Sequence, residues 1–148
     1  MFIIQNVFPQ CDCQKILRDN VYITQCNPLQ VGGDNSLQMG MSLSSNGEDD
    51  YINLIIRYLD NQPYKIIGDL NIRCVDNNLL TFKLINSQSS YIGNSKIESG
   101  IFLLSVTQFK KIQNSKLLTI SIRLSDGRIH TIDVSFNQDV LITQSKCL

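Results

Sequence analysis

His130 is the only histidine in this 148-residue chain. It is therefore the one side chain whose ordinary pKa lets it trade protons near neutral pH. Alternation puts it on one strand face with Ile132 and Val134, beside Arg128 and near an Asp126-Gly127 turn. A nucleophilic hydrolase would have to be built on this residue, because serine and cysteine need a base to become reactive. No serine occupies a G-x-S-x-G turn, and no spacing singles out a cysteine. We read His130 as a partly exposed strand histidine with no particular partner and assign no catalytic residue.

Oxygen ligands on a tight loop can bind calcium, and Glu48-Asp49-Asp50 after Asn46-Gly47 is the one acidic run. Three consecutive acids project in different directions, however, and EF-hand spacing is absent. The run reads as a solvated hairpin tip, and Asp76-Asn77-Asn78 as a turn. Gly32-Gly33 lacks the Gly-Lys-Ser/Thr of a phosphate loop. No metal and no cofactor are expected. Tyr22, Tyr51, Tyr58, Tyr64 and Tyr91 could line a binding surface or serve as strand residues.

The five cysteines are Cys11, Cys13, Cys26, Cys74 and Cys147. Cys11 and Cys13 make a C-x-C, which is neither a redox nor a zinc spacing. In an oxidising compartment, one or two disulfides are expected among Cys11, Cys13, Cys26 and Cys147. One of them could tie the N-terminal arm to Cys147. Cys74 falls inside a strand pattern and reads as a small buried hydrophobe. In a reducing compartment all five remain thiols. The pairing stays open.

Those residues must be carried by something of one-domain size. The chain is 43% hydrophobic and has 13 basic against 13 acidic residues. A zero balance argues against nucleic acid, whose phosphates demand a basic stripe. It also gives little attraction to an anionic membrane. No run of 18 apolar residues could span a bilayer, so no transmembrane segment is expected. Residues 1–10 are apolar and uncharged. They read either as the tail of a signal peptide, with the mature chain starting near Gln10 or Cys11, or as an ordinary strand.

Hydrophobic period supplies the elements. Residues 13–20 could hold a helical turn, and 21–25 a strand. Leu37, Met39, Met41 and Leu43 alternate with polar residues, as in a half-buried strand. Residues 51–59 are apolar on both faces, which predicts a central strand covered on both sides. Residues 64–75 form another strand, in which Gly68 marks a bulge or close crossing. Residues 79–85 pair back on it as a hairpin. Residues 86–100 read as a polar loop, or an edge strand with a loop, before a short strand at 101–104. Ser105-Val106-Thr107-Gln108 is a capping box opening a short helix to Asn114. Residues 117–124 then pair with 129–136 through Asp126-Gly127. Asp139 caps a last helix over 140–148.

Phe102–Ser115, Leu117–Leu124, Ser125-Asp126-Gly127-Arg128 and terminal Lys146-Cys147-Leu148 together resemble the C-terminal unit of small uncharacterised bacterial proteins. Those are usually exported and β-rich. The resemblance covers the last third of the chain. It implies a periplasmic or cell-surface location and carries no functional residues.

The expected fold is one domain, mainly β: an antiparallel two-layer β-sandwich with one short internal helix and a short C-terminal helix. The expected function is that of a non-enzymatic, exported binding or structural module, periplasmic or secreted. It would contact an unknown protein or envelope component through a sheet face or edge. Two alternatives are a small hydrolase with a loop-assembled site around His130 and a cytoplasmic inhibitor or immunity-type partner protein. A polar, tyrosine-bearing concave face would favour the binding module. A deep pocket joining His130 to a carboxylate and a nucleophile would favour the hydrolase.

Overall fold

The computed structural model describes residues 12–60 and 64–148. The readings made for residues 1–11 lie outside that range. Eleven strands and two short helices occur among the described residues. They form an antiparallel two-layer β-sandwich. One sheet has seven strands: β1 (Cys13–Arg18), β2 (Val21–Cys26), β3 (Leu29–Gly33), β4 (Leu37–Ser45), β5 (Asp50–Tyr58), β8 (Leu84–Ile92) and β9 (Ser95–Leu104). Its order is β1-β2-β4-β5-β9-β8, and β3 also pairs with β4. The second sheet runs β11 (Ile129–Asp133), β10 (Leu117–Leu124), β6 (Ile66–Cys74), β7 (Leu79–Phe82).

The core is one cluster drawn from both sheets and both helices. Leu37, Met39, Met41 and Leu43 of β4 face inward, opposite Ile52, Leu54, Ile56 and Tyr58 of β5. Leu70, Ile72 and Cys74 of β6 meet them with Ile120 and Ile122 of β10. Period-two spacing places each set on a single side of its sheet, so burial follows from the sequence. Strand β5 is central, between β4 and β9. Strand β10 pairs with β11 across the expected turn, with Ile120 opposite Ile132.

The internal helix α1 (Val106–Ile112) has the capping box. Ser105 Oγ accepts from the Gln108 amide at 3.2 Å, and Gln108 Oε1 accepts from the Ser105 amide at 3.0 Å. Gln108 Nε2 also donates to the Thr81 carbonyl at 2.6 Å, tying the helix to β7. The last helix, α2 (Val140–Ser145), is shorter than expected, and Asp139 makes no side-chain cap. Gly68 lies on β6 where the register against β10 shifts. A Cβ there would sit 2.8 Å from Arg123 Cβ, so only glycine lets the strands cross this closely.

Two local expectations are corrected. Residues 13–20 hold no helical turn; they form β1 and a two-residue turn into β2. Asp19 and Asn20 both take positive φ, 49° and 65°. Such a pair matches the twist of a tight hairpin, and Asp and Asn tolerate it better than other non-glycine residues. The hairpin over 79–85 stops at Phe82. There the chain leaves the four-stranded sheet, and Leu84 opens β8 in the other one. Asp69 Oδ1 accepts from the Leu84 amide at 3.0 Å and holds this crossing. Of the two readings of residues 86–100, the edge strand with a loop is the one found: β8 lies at the sheet edge and turns at residues 93–94, but β9 already begins at Ser95, ahead of the strand expected at 101–104.

Candidate concave sheet face

Strand alternation sends Ser42 and Ser44 of β4, Tyr51, Asn53 and Ile55 of β5, and Ser99 and Ile101 of β9 to the outer side of the large sheet. This side is not flat. Arg18 on β1 and Asn86 on β8 stand at the two ends of the six-strand path, yet they border the same cavities. A flat sheet would separate those strands by about 24 Å, five spacings of roughly 4.8 Å. The sheet therefore curls, as in a half-barrel, and its outer face becomes a trough.

Three hollows run together along it. One of about 380 Å³ lies between Arg18, Tyr51 and Ile85. The next, about 220 Å³, shares Arg18, Gln25, Asn53, Asn86 and Ile101 with it. A third, about 140 Å³, continues past Pro28 and Ile55 to Arg57. The walls mix amides and hydroxyls with apolar groups, mainly isoleucines in the first two hollows and Pro28, Leu29, Met39 and Ile55 in the third. Among the described residues, the only charged ones along all three are Arg18 and Arg57, and no carboxylate borders them. In a chain of zero net charge the trough is locally basic.

The floor is held by its own bonds. Asn53 Nδ2 donates to Ser44 Oγ at 3.1 Å and to Ser42 Oγ at 3.4 Å. That geometry spends the amide donors and leaves the Asn53 carbonyl oxygen as an acceptor. Arg57 Nε donates to Ser95 Oγ at 3.3 Å, which leaves its terminal nitrogens available. The floor strands β4, β5 and β9 are paired along both edges, save for a two-residue break in β4 at Ser42–Leu43, so the floor offers side chains and no continuous backbone ladder.

A gap in the sheet borders the trough. Strand β4 pairs with β3 up to Met41 and with β2 from Ser44 onward. The Leu43 amide between them donates instead to Gln144 Oε1 at 2.8 Å. Gln144 Nε2 donates to the Asn27 carbonyl at 2.8 Å, so one buried side chain of α2 bridges the break.

The structure distributes the other candidate residues widely. His130 is not unpartnered: its Nε2 lies 2.8 Å from Asp126 Oδ2, across the β10–β11 turn. Among the described residues the ring makes no other hydrogen bond, and it borders none of the hollows above. The Arg128 amide, and then the His130 ring, hold the Asp126 carboxyl below its usual range. Glu48 and Asp49 sit in a turn closed by Asn46 Oδ1, which accepts from both their amides. No group of three or more potential metal ligands occurs among the described residues. Of the tyrosines, Tyr51 lines the trough. Tyr58 is buried, its hydroxyl donating to the Tyr64 carbonyl at 2.7 Å, and burial pushes its pKa up. Tyr22 and Tyr91 are exposed elsewhere.

Cys13 and Cys26 face each other across β1 and β2 and form a disulfide. Cys147 is also disulfide-bonded. Cys74 is a free thiol in the core, and burial raises its pKa. Cys11 lies outside the described residues. A disulfide points to an oxidising, non-cytosolic location. No helix among the described residues is long and apolar enough to cross a membrane.

The sequence reading missed two polar groups. Glu98 is 1% exposed on the inner side of β9, accepting from Ser89 Oγ and lying 3.7 Å from Lys96 Nζ. Its place in the alternation with Gly100 and Phe102 was the available signal. Gln144 had none, because a bridge over 101 residues leaves no local pattern. Comparison with protein-family models, curated proteins and solved structures yields no match.

Proposed function

We propose that this protein is a non-enzymatic, exported binding module that holds an acidic polysaccharide of the cell envelope in the trough. The observation that carries this reading is the trough's lining: amide and hydroxyl groups, strips of isoleucine, and two arginines with no carboxylate. Asn, Gln and Ser side chains exchange hydrogen bonds with sugar hydroxyls. Arginine pairs with a carboxylate in two-pronged fashion. An extended peptide is the poorer fit, because peptides on sheets draw affinity from a free backbone edge, and this floor has none. The disulfide supports export.

The test is calorimetric titration with a uronic-acid polysaccharide, a neutral polysaccharide and an acidic peptide. The acidic polysaccharide should bind, and added salt should weaken it. Arg18→Gln with Arg57→Gln should reduce affinity about tenfold or more, by loss of two charge-assisted contacts, while the far-ultraviolet spectrum stays unchanged. Binding of the peptide alone, or affinity indifferent to both arginines, would overturn the reading.

A further inference from the structure

We infer that strand β8 is a self-pairing edge, through which two copies of this chain join into one continuous sheet. The other edges are guarded. Strand β1 carries Lys15 and Arg18. Strand β7 has four residues. Strand β11 is short, and the chain just beyond it donates Ser135 and Phe136 amides to the Val31 carbonyl, which ties that side to β3. Natural sheets blunt their edges by such means. Strand β8 uses none of them: it has nine residues, no charge and no proline, and no strand among the described residues lies on its far side.

Its backbone parity is fixed by the structure. Leu103 of β9 donates its amide to the Lys83 carbonyl, so Leu103 faces β8, as do Ile101, Ser99 and Ile97 two residues apart. Their partners Asn86, Gln88 and Ser90 turn their backbone groups toward β9. Ser87, Ser89 and Tyr91 then turn theirs outward. Among the described residues only the Ser87 amide finds a local substitute, the Asn86 side-chain oxygen at 2.9 Å.

The side chains say which partner fits. Residues 84–92 read Leu-Ile-Asn-Ser-Gln-Ser-Ser-Tyr-Ile, a near palindrome in polarity about Gln88. An antiparallel copy centred there sets Gln88 against Gln88, Ser87 against Ser89 and Asn86 against Ser90. The apolar step Leu84-Ile85 then lies alongside Tyr91-Ile92, three of whose four residues are exposed in the single chain. Outward Ser87 and Ser89 are the residues that exchange hydrogen bonds in this register. An uncharged strand meets its copy without repulsion. Opposed residues share a face, so the two outer troughs lie on the same side of the joined sheet.

The experiment is light scattering across a dilution series, with charge swaps at the two-fold centre. The native chain should pass from monomer to dimer with concentration. Gln88→Lys and Gln88→Glu should each weaken dimerisation at least tenfold, since like charges directly opposed repel. Mixed one to one, the two variants should dimerise again. Separately, Gln88→Cys should form a covalent dimer on oxidation, because facing residues at a non-hydrogen-bonded site lie about 4.5 Å apart between Cα atoms. Ser90→Cys, which faces Asn86, should not. A native chain that stays monomeric, or variants that dimerise unchanged, would overturn the inference.

Discussion

Replacing Gln144 with Met removes both hydrogen bonds that bridge the gap in the large sheet while keeping the length of the side chain. Gln144 is 5% exposed, and Leu43, whose amide it accepts, is fully buried. An orphaned buried donor costs about 1–3 kcal/mol. The Asn27 carbonyl belongs to an exposed residue and recovers water, so it adds little. The more apolar thioether returns about 1 kcal/mol of burial. The expected net loss is therefore about 0–2 kcal/mol, up to roughly 7 °C in Tm for a chain of this size. Urea denaturation measures the loss, and amide hydrogen exchange locates it: Leu43 should lose protection ahead of its neighbours on β4. Gln144→Glu offers a discriminating companion. It keeps an acceptor for Leu43 but points a carboxylate at the Asn27 carbonyl, so its defect should ease in acid, when a protonated carboxyl can donate. If Gln144→Met stays within about 0.5 kcal/mol of the native chain and Leu43 remains protected, the bridge does not hold β4 to its two partners.

Acid should destabilise the fold. Burial alone would raise the Asp34 pKa, but amide and hydroxyl bonds from Ser36, with the Leu37 amide, together hold it below the ordinary 3.8. The Asn78 amide, and then Ser115 Oγ, do the same for Asp76. Groups depressed in the folded state contribute fully above 3.8, and that contribution is lost as pH falls through their folded values, because the unfolded chain takes up protons first. Denaturation midpoints should be level through the neutral range and drop below about pH 4, with a shallower drop in Asp34→Asn. A midpoint that rises on acidification would contradict this. The compartment is tested by intact mass, with and without reduction, on protein recovered from its native cell. Oxidised cysteines fit export, and five free thiols would end that reading.

Where the determinants were local, the sequence was legible. The capping box at Ser105, the Asp126-Gly127 turn and the alternation in β4 each lie within a few residues, and each is found as read. The failures share a physical origin in long-range choices. Nothing near Lys83 says that β7 and β8 belong to different sheets; that follows from where β6 and β9 already lie. The Asp19-Asn20 turn was missed because its positive φ angles rest on two residues that also begin helices and loops. His130 looked unpartnered because its bond to Asp126 crosses a turn whose geometry is settled only when β10 and β11 pair.

The misreading of β5 reveals the most about the trough. Apolar residues on both sides of residues 51–59 predicted a strand sandwiched between two layers, yet only one layer covers it. The outer residues are nonetheless withdrawn from water: Tyr51, Asn53 and Ile55 are half-buried, and Ser42 beside them is 1% exposed. No second layer among the described residues is stacked on them. The sheet's own curvature brings β1 and β8 around and shades its centre. Surplus apolarity on an outer face can thus record concavity as well as a covering layer. The two are told apart by what accompanies the isoleucines. A face buried under a second layer would be aliphatic throughout, since unpaired polar groups there are costly. Here Ile23, Ile55 and Ile101 alternate with Ser42, Ser44, Asn53 and Ser99, polar groups that bond to one another, as Asn53 does to Ser42 and Ser44, or face the hollows. Mixed polarity in β4, β5 and β9 is therefore a property of the trough itself, and it was present in the sequence before the curvature gave it meaning.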